Sequence, residues 1–159
     1  SSQEIWNYQQ IDLGFNYRMT DLQAALGSSQ LKRLGSFILR RHELAERYKE
    51  LLAEFPIKLP FQHQDCSSSY HLYPIQLQFE YINKSQREIY NEFRVNGIQV
   101  NLHYIPIYRQ PFYESIGFKN GYCPEAEKYY TRTIVIPLHP GLSNIDQNQV
   151  VEVIRKILK

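Results

Sequence analysis

Three clusters of polar residues in this chain have the types and spacing to meet a ligand. The first is Gly14-Phe15-Asn16-Tyr17-Arg18-Met19-Thr20-Asp21. Thr20 suits a helix N-cap and Asp21 a first turn, so Asn16 and Arg18 come just before a helix N-terminus. Their donors, with the free N–H groups of that helix, suit a phosphate or another anion. An ordinary capped helix start with a surface arginine fits the same residues. The second cluster, Asn101-Leu102-His103-Tyr104, continues into Ile105-Pro106-Ile107-Tyr108-Arg109-Gln110-Pro111. A histidine and two tyrosines here leave a strand end and enter a proline-stiffened loop, a place where ligand groups collect. His103 can donate to a diphosphate, and Tyr104 or Tyr108 can stack on or bond a sugar or base. A packed, hydrogen-bonded histidine in a rigid turn accounts equally for the pattern. The third cluster, His139-Pro140-Gly141, reads mainly as a turn. His71 reads as a core residue within a strand. No Ser-His-Asp order, zinc spacing, close acidic pair, G-x-G-x-x-G or Walker A loop is readable, so no metal site is expected.

The elements that must position these clusters follow from hydrophobic period. Met19, Leu22, Ala25 and Leu26 mark an apolar face on the helix begun at Thr20, with Leu26 expected to serve core stability. A longer helix, at about 36–55, follows Gly35. It carries Leu34, Phe37, Ile38, Leu44, Ala45, Tyr48, Leu51, Leu52 and Phe55 at helical spacing, and Pro56 ends it. Residues 57–59 are a short strand candidate. Residues 70–79 alternate as a strand, which Pro74 assigns to an edge or bulge. Ser85 and Glu88 form a capping-box pair for a helix ending at Asn96-Gly97. Residues 98–105 read as another strand, and the proline- and aromatic-rich stretch after it has no clear period. Pro124 starts a short helix through Thr131, and residues 134–138 form a compact strand. Ser143, with Asp146 three residues on, caps a last helix facing inward with Val150, Val153, Ile154 and Ile157. The order predicts an α/β chain built as an α+β layer, a small mixed or antiparallel sheet with helices on one face.

Composition bounds the function classes. The 159 residues, 43% of them hydrophobic, suit one globular domain. With 21% charged residues and a net charge of +2, no field for nucleic acid or anionic lipid is evident, so neither partner is expected. No apolar run approaches the roughly 20 residues of a membrane span. Residues 1–10 are polar and lack a signal-peptide pattern, and the chain starts as though mid-loop. Cys66 and Cys123 match neither a metal knuckle nor a C-x-x-C pair and read as free thiols in a reducing cytoplasm.

The run from Leu13 to Gly27 closely resembles the segment that follows the cofactor lysine in DegT/StrS aminotransferases. The similarity continues through Gln30-Leu31-Lys32-Arg33-Leu34, Arg40-Arg41, Tyr70-His71-Leu72-Tyr73, His103-Tyr104-Ile105-Pro106 with Gln110-Pro111, and Ile136-Pro137-Leu138-His139-Pro140-Gly141-Leu142. It covers nearly the whole chain, in order. Within the family, the stretch from His103 to Tyr113 looks most like the transaminases of pseudaminic acid biosynthesis.

The resemblance implies the C-terminal portion of a fold-type-I pyridoxal-phosphate (PLP) enzyme that works as a cytoplasmic homodimer. Residues 1–33 would join a large domain, and 34–159 would form the small domain. The implied reaction moves an amino group from glutamate to a nucleotide-linked keto sugar, such as UDP-4-keto-6-deoxy-HexNAc, for cell-surface polysaccharide or glycan synthesis. By the same likeness Asn16 reaches into the neighbouring subunit's site near the cofactor phosphate and substrate, with Arg18 in the same motif. Asn101, Leu102, His103 and Tyr104 match a substrate-contacting stretch. One departure matters: the family's cofactor lysine precedes this motif, whereas all eight lysines here follow it. The chain alone is therefore expected to hold no catalytic residue, to bind no PLP and to be inactive. Two other readings stay open: a stand-alone binding or dimerisation module using the long amphipathic helix, and a PLP sugar dehydratase of the same fold family.

Overall fold

The computed structural model describes residue 15 and residues 17–158. The chain divides into two compact units, Ser1–Leu34 and Gly35–Lys159.

The first unit contains helix α1, Asp21–Leu31. Its start is the one the sequence predicts. The Thr20 hydroxyl accepts from the Gln23 backbone N–H at 3.3 Å, and the Gln23 side-chain oxygen accepts from the Thr20 N–H at 3.0 Å, which closes a capping box. In this chain its apolar face is uncovered. No residue of α1 is buried, and Leu22 and Leu26 are 82% and 61% exposed. A helix stripe becomes core only against a second layer, and the described part of this unit supplies none.

The second unit runs α2 (Leu34–Leu51, whose first residue closes the first unit), β1 (Ile57–Lys58), β2 (Tyr73–Leu77), α3 (Gln86–Val95), a 3-10 turn (Ile107–Arg109), α4 (Pro111–Ser115), α5 (Pro124–Arg132), β3 (Thr133–Ile136) and α6 (Asn144–Leu158). The three strands form one antiparallel sheet in the order β1-β2-β3. The core gathers Leu44 and Tyr48 of α2, Ile75 and Leu77 of β2, Ile89 and Phe93 of α3, Ile134 and Ile136 of β3, and Ile154 and Ile157 of α6. Two tyrosine hydroxyls inside it are satisfied: Tyr48 donates to the Pro137 carbonyl at 2.9 Å and Tyr73 to the Ala45 carbonyl at 3.3 Å. Burial pushes both phenols well above the ordinary tyrosine value.

Local signals place most boundaries. Ser85 and Glu88 form the expected capping box, and Gly97 ends the following turn at φ +80, where a side chain would be strained. Pro124 opens α5, and Ser143 caps α6 through reciprocal bonds with Asp146. The polar side of α2 reaches further than its sequence suggests. Arg40 donates to the Leu142 carbonyl and the Asn144 side chain, each at 3.0 Å. Arg47 donates to Gln147 at 2.9 Å and to Asn148 at 2.6 Å. Gln147 is fully buried and also donates to the Leu44 carbonyl at 2.8 Å.

Three strand expectations need correction. β2 is the central strand, so Pro74 does not sit on an edge strand. It is tolerated because Val135, opposite it, bonds to Asn101 on its other side, so Pro74 turns its backbone away from β3. On the β1 side the pairing stops at Gln76, and no ladder bond is lost. The strand expected at 98–105 reduces to a single bridge between Asn101 and Val135. The Asn101 side chain takes the next amide, Leu102, at 2.8 Å, and Pro106 has no N–H to offer. Finally, His71 lies outside β2 and is exposed. Tyr70 just before it has φ +44, and Arg41 takes the carbonyls of Tyr70 and His71 at 2.6 and 3.3 Å, so this backbone leaves the ladder.

Candidate ligand-binding cleft

The bridge at Asn101 brings the second polar cluster to the edge of β3. Backbone bonds of 3.2 and 2.8 Å tie Asn101 to Val135 in both directions. Beyond it the Asn101 side-chain nitrogen lies 3.5 Å from His103 Nε2, at the limit of a hydrogen bond. The His103 ring meets Tyr104 edge-on with centroids 4.6 Å apart. His103 Nδ1 is buried and has no hydrogen-bond partner. A buried ring nitrogen left unpaired calls for a ligand, a water or another chain segment.

Asn101 and His103 line a cleft of about 710 Å3 together with His71, His139, Arg94 and Asp146. That volume lies within the roughly 300–1,000 Å3 of small-molecule sites. Arg41 sets two of its walls at once, because the guanidinium that holds the Tyr70 and His71 carbonyls also donates to Leu138 at 3.2 Å. His71 and His139 follow those carbonyls directly. Arg94 leans on Tyr90, donating to its hydroxyl at 3.3 Å with the guanidinium 5.9 Å from the ring centroid. The Asp146 carboxyl is held below the usual aspartate range, first by the Ser143 hydroxyl, then by the Ser143 backbone N–H, with a smaller contribution from His139. The cleft thus offers three imidazoles, a guanidinium and amides against one carboxylate, a set able to bond hydroxyls and phosphoryl oxygens.

The structure unites part of the expected site. Asn101 and His103 line the cleft; Leu102 is half-buried beside them, and Tyr104 is 71% exposed outside the lining. Arg18 is exposed and belongs to the first unit, and Asn16 lies outside the described residues. Sequence reasoning missed His71, read as core, and His139, read as a turn residue. Their shared signal is the Arg41 clamp, which no local pattern reveals. Among the described residues, no group of three or more His, Cys, Asp or Glu side chains could hold a metal ion, and no helix is long and apolar enough to cross a membrane. Cys66 and Cys123 are exposed free thiols.

A small antiparallel sheet with its helices, presenting a polar cleft at a strand edge, can be matched with known proteins. The chain belongs to the DegT/DnrJ/EryC1/StrS aminotransferase family, whose profile matches residues 1–155. It is 36% identical over 162 residues to the spore coat polysaccharide biosynthesis protein SpsC of Bacillus subtilis, covering 100% of this chain and 42% of that protein. It is 31% identical over 156 residues to the UDP-4-amino-4,6-dideoxy-N-acetyl-beta-L-altrosamine transaminase of Campylobacter jejuni, covering 98% and 41%. Among solved structures, Helicobacter pylori PseC, an aminotransferase of pseudaminic acid biosynthesis, superposes with a TM-score of 0.85 at 26% identity, covering 99% of this chain and 42% of that one. The Streptococcus pneumoniae protein Spr1654 in its PMP form gives 0.86 at 28% identity, covering 96% and 38%. The chain therefore spans about two fifths of the length of these relatives.

Family membership implies PLP in the full-length proteins. Holding it takes an amine for its aldehyde and a cradle of donors for its phosphate. No lysine lines the cleft. At the start of α1 the Thr20 hydroxyl is already bonded to Gln23, and Asp21 adds a negative charge beside it. The described residues do not by themselves fit the cofactor.

Proposed function

We propose that the protein to which this chain belongs is a PLP-dependent aminotransferase. It transfers the amino group of glutamate to a nucleotide-linked keto sugar, such as UDP-4-keto-6-deoxy-HexNAc, for cell-surface polysaccharide or glycan synthesis. Glutamate leaves as 2-oxoglutarate and the sugar carbonyl becomes an amine. In this reading the second unit is the small domain, and it supplies one wall of the substrate site through Asn101, Leu102, His103 and Tyr104. Residues 1–33 join the large domain, with Asn16 and Arg18 directed to cofactor and substrate, Asn16 across a cytoplasmic homodimer. The observation that carries the reading is the unpartnered, buried His103 Nδ1 in a polar cleft of ligand size, in a chain of this family.

A screen of keto sugar nucleotides with the full-length protein, read by 2-oxoglutarate release from glutamate, tests it. His103→Ala should raise the KM for the sugar nucleotide about tenfold or more, the usual effect of losing a bond to a charged or strongly polar group. An unchanged KM removes His103 from the site. The chain alone, given PLP, glutamate and the same sugars, should not transaminate. Mixing Asn16→Ala subunits with subunits lacking the cofactor lysine should restore part of the activity if Asn16 works across the dimer.

A further inference from the structure

The peptide bearing His103 and Tyr104 is tied down on both sides. On the N-terminal side the anchor is the Asn101–Val135 bridge. On the C-terminal side the chain enters the 3-10 turn, where buried Tyr108 and half-buried Arg109 both turn to one carboxylate, Glu127 of α5. Glu127 Oε1 accepts from the Tyr108 hydroxyl at 2.9 Å and from the Gly121 backbone N–H at 3.1 Å; Oε2 accepts from Arg109 at 3.2 Å. The Tyr108 hydroxyl also lies 3.2 Å from the Cys123 carbonyl, but its single proton favours the nearer, charged oxygen. Arg109 is further held over the Tyr130 ring, 5.2 Å from its centroid, on the same helix α5. Gly121 presents its N–H from φ +84, a conformation that favours glycine.

We propose that Glu127 is a positioning residue for the substrate-facing segment: it clamps the 3-10 turn to α5 and thereby fixes where His103 and Tyr104 stand at the cleft. The proposal rests on the reading of Asn101–Tyr104 as the substrate wall. Glu127 does not line the cleft, so its effect reaches the cleft through Tyr108 and Arg109. The carboxyl is poised for this role. Three donors hold it charged, the Gly121 N–H foremost, then Tyr108 and Arg109.

Hydrogen–deuterium exchange on the full chain tests the clamp without any ligand, so it can fail while the substrate reading stands, and the reverse. The Arg109 and Gln110 amides, bonded to the Pro106 and Ile107 carbonyls, are the reporters. Glu127→Ala should speed their exchange about tenfold or more, the effect expected on removing bonds to a charged group, with β2 and α6 unchanged. Glu127→Gln keeps an oxygen for Tyr108 and Gly121 and should recover part of the protection. The NMR resonances of the His103 ring should move in the alanine variant and return toward wild type in the glutamine variant. Tyr108→Phe, which removes the same bond from the other side, gives a second route to the measurement if Glu127→Ala folds poorly; it should speed the same amides. Unchanged exchange at Arg109 and Gln110, or an equal rise throughout β2 and α6, overturns the proposal.

Discussion

Helices α1 and α3 start in the same way and end in different circumstances. Each opens with a hydroxyl N-cap answered by a Glu or Gln three residues on, and each capping box is closed in the structure. Yet α3 buries Ile89 and Phe93 completely, while α1 leaves every residue exposed. Capping satisfies the free N–H groups of a first turn and is local; burial needs a second surface, which the second unit provides and the described residues of the first do not. The difference separates what makes a helix from what makes it stable.

The comparison can be broken at its strongest point. Phe93→Ala removes a fully buried ring between α3 and its neighbours and should cost about 3–5 kcal/mol in denaturant unfolding. A loss under ~1 kcal/mol would mean that the core is not where the fold puts it. Next comes Gln147→Ala, which removes a buried side-chain bond to the Leu44 carbonyl and an acceptor from Arg47. Losing these two hydrogen bonds, one of them to a charged group, should cost about 1–3 kcal/mol, measurable as a lower Tm.

Acid gives a third contrast. Glu80, Glu88, Glu127 and Asp146 all belong to the second unit and all have carboxyls held below their ordinary values of 4.5 and 3.8. Glu80 is held mainly by a backbone N–H and then by Arg132, and Glu88 by the Ser85 N–H and hydroxyl. Such groups add stability while charged. Their contribution is complete above the ordinary values, declines as pH falls through them, and is gone below the lowered folded values. Unfolding midpoints of the second unit should therefore hold above about pH 5 and fall below it; stability that rises on acidification would reverse the sign. The smallest effect belongs to the first unit. Leu26→Ala should change unfolding of this chain by less than about 0.5 kcal/mol, as at exposed positions generally. A loss above ~1 kcal/mol would show that α1 has a packed face after all.

The same division runs through what the sequence reveals. Helix starts at Thr20, Ser85, Pro124 and Ser143 are legible because donor and acceptor lie within one turn of each other. The inward stripe of α6 is legible because its period is local; the buried Gln147 beside it is not, since its partners Leu44 and Arg47 are far off in sequence. Pro74 reads as an edge residue, which is right for its own backbone and wrong for the strand as a whole. In the cleft, Asn101 and His103 come from one contiguous motif and could be nominated together. His71 and His139 come from different loops, brought together by the β2–β3 pairing and by Arg41, whose role depends on three carbonyls gathered by folding.

Helix α2 sets the order in which the second unit can assemble. Arg40 and Arg47 find their partners 102 and 100 residues further along, in and just before α6. Such distant closures slow folding, because the loop must be gathered before any contact rewards it. During synthesis α2 is made before α6, with Leu44 and Tyr48 uncovered, and it cannot complete its packing until α6 has been made. The amphipathic helix that organises the finished domain is thus, during synthesis, the surface most in need of protection from premature association.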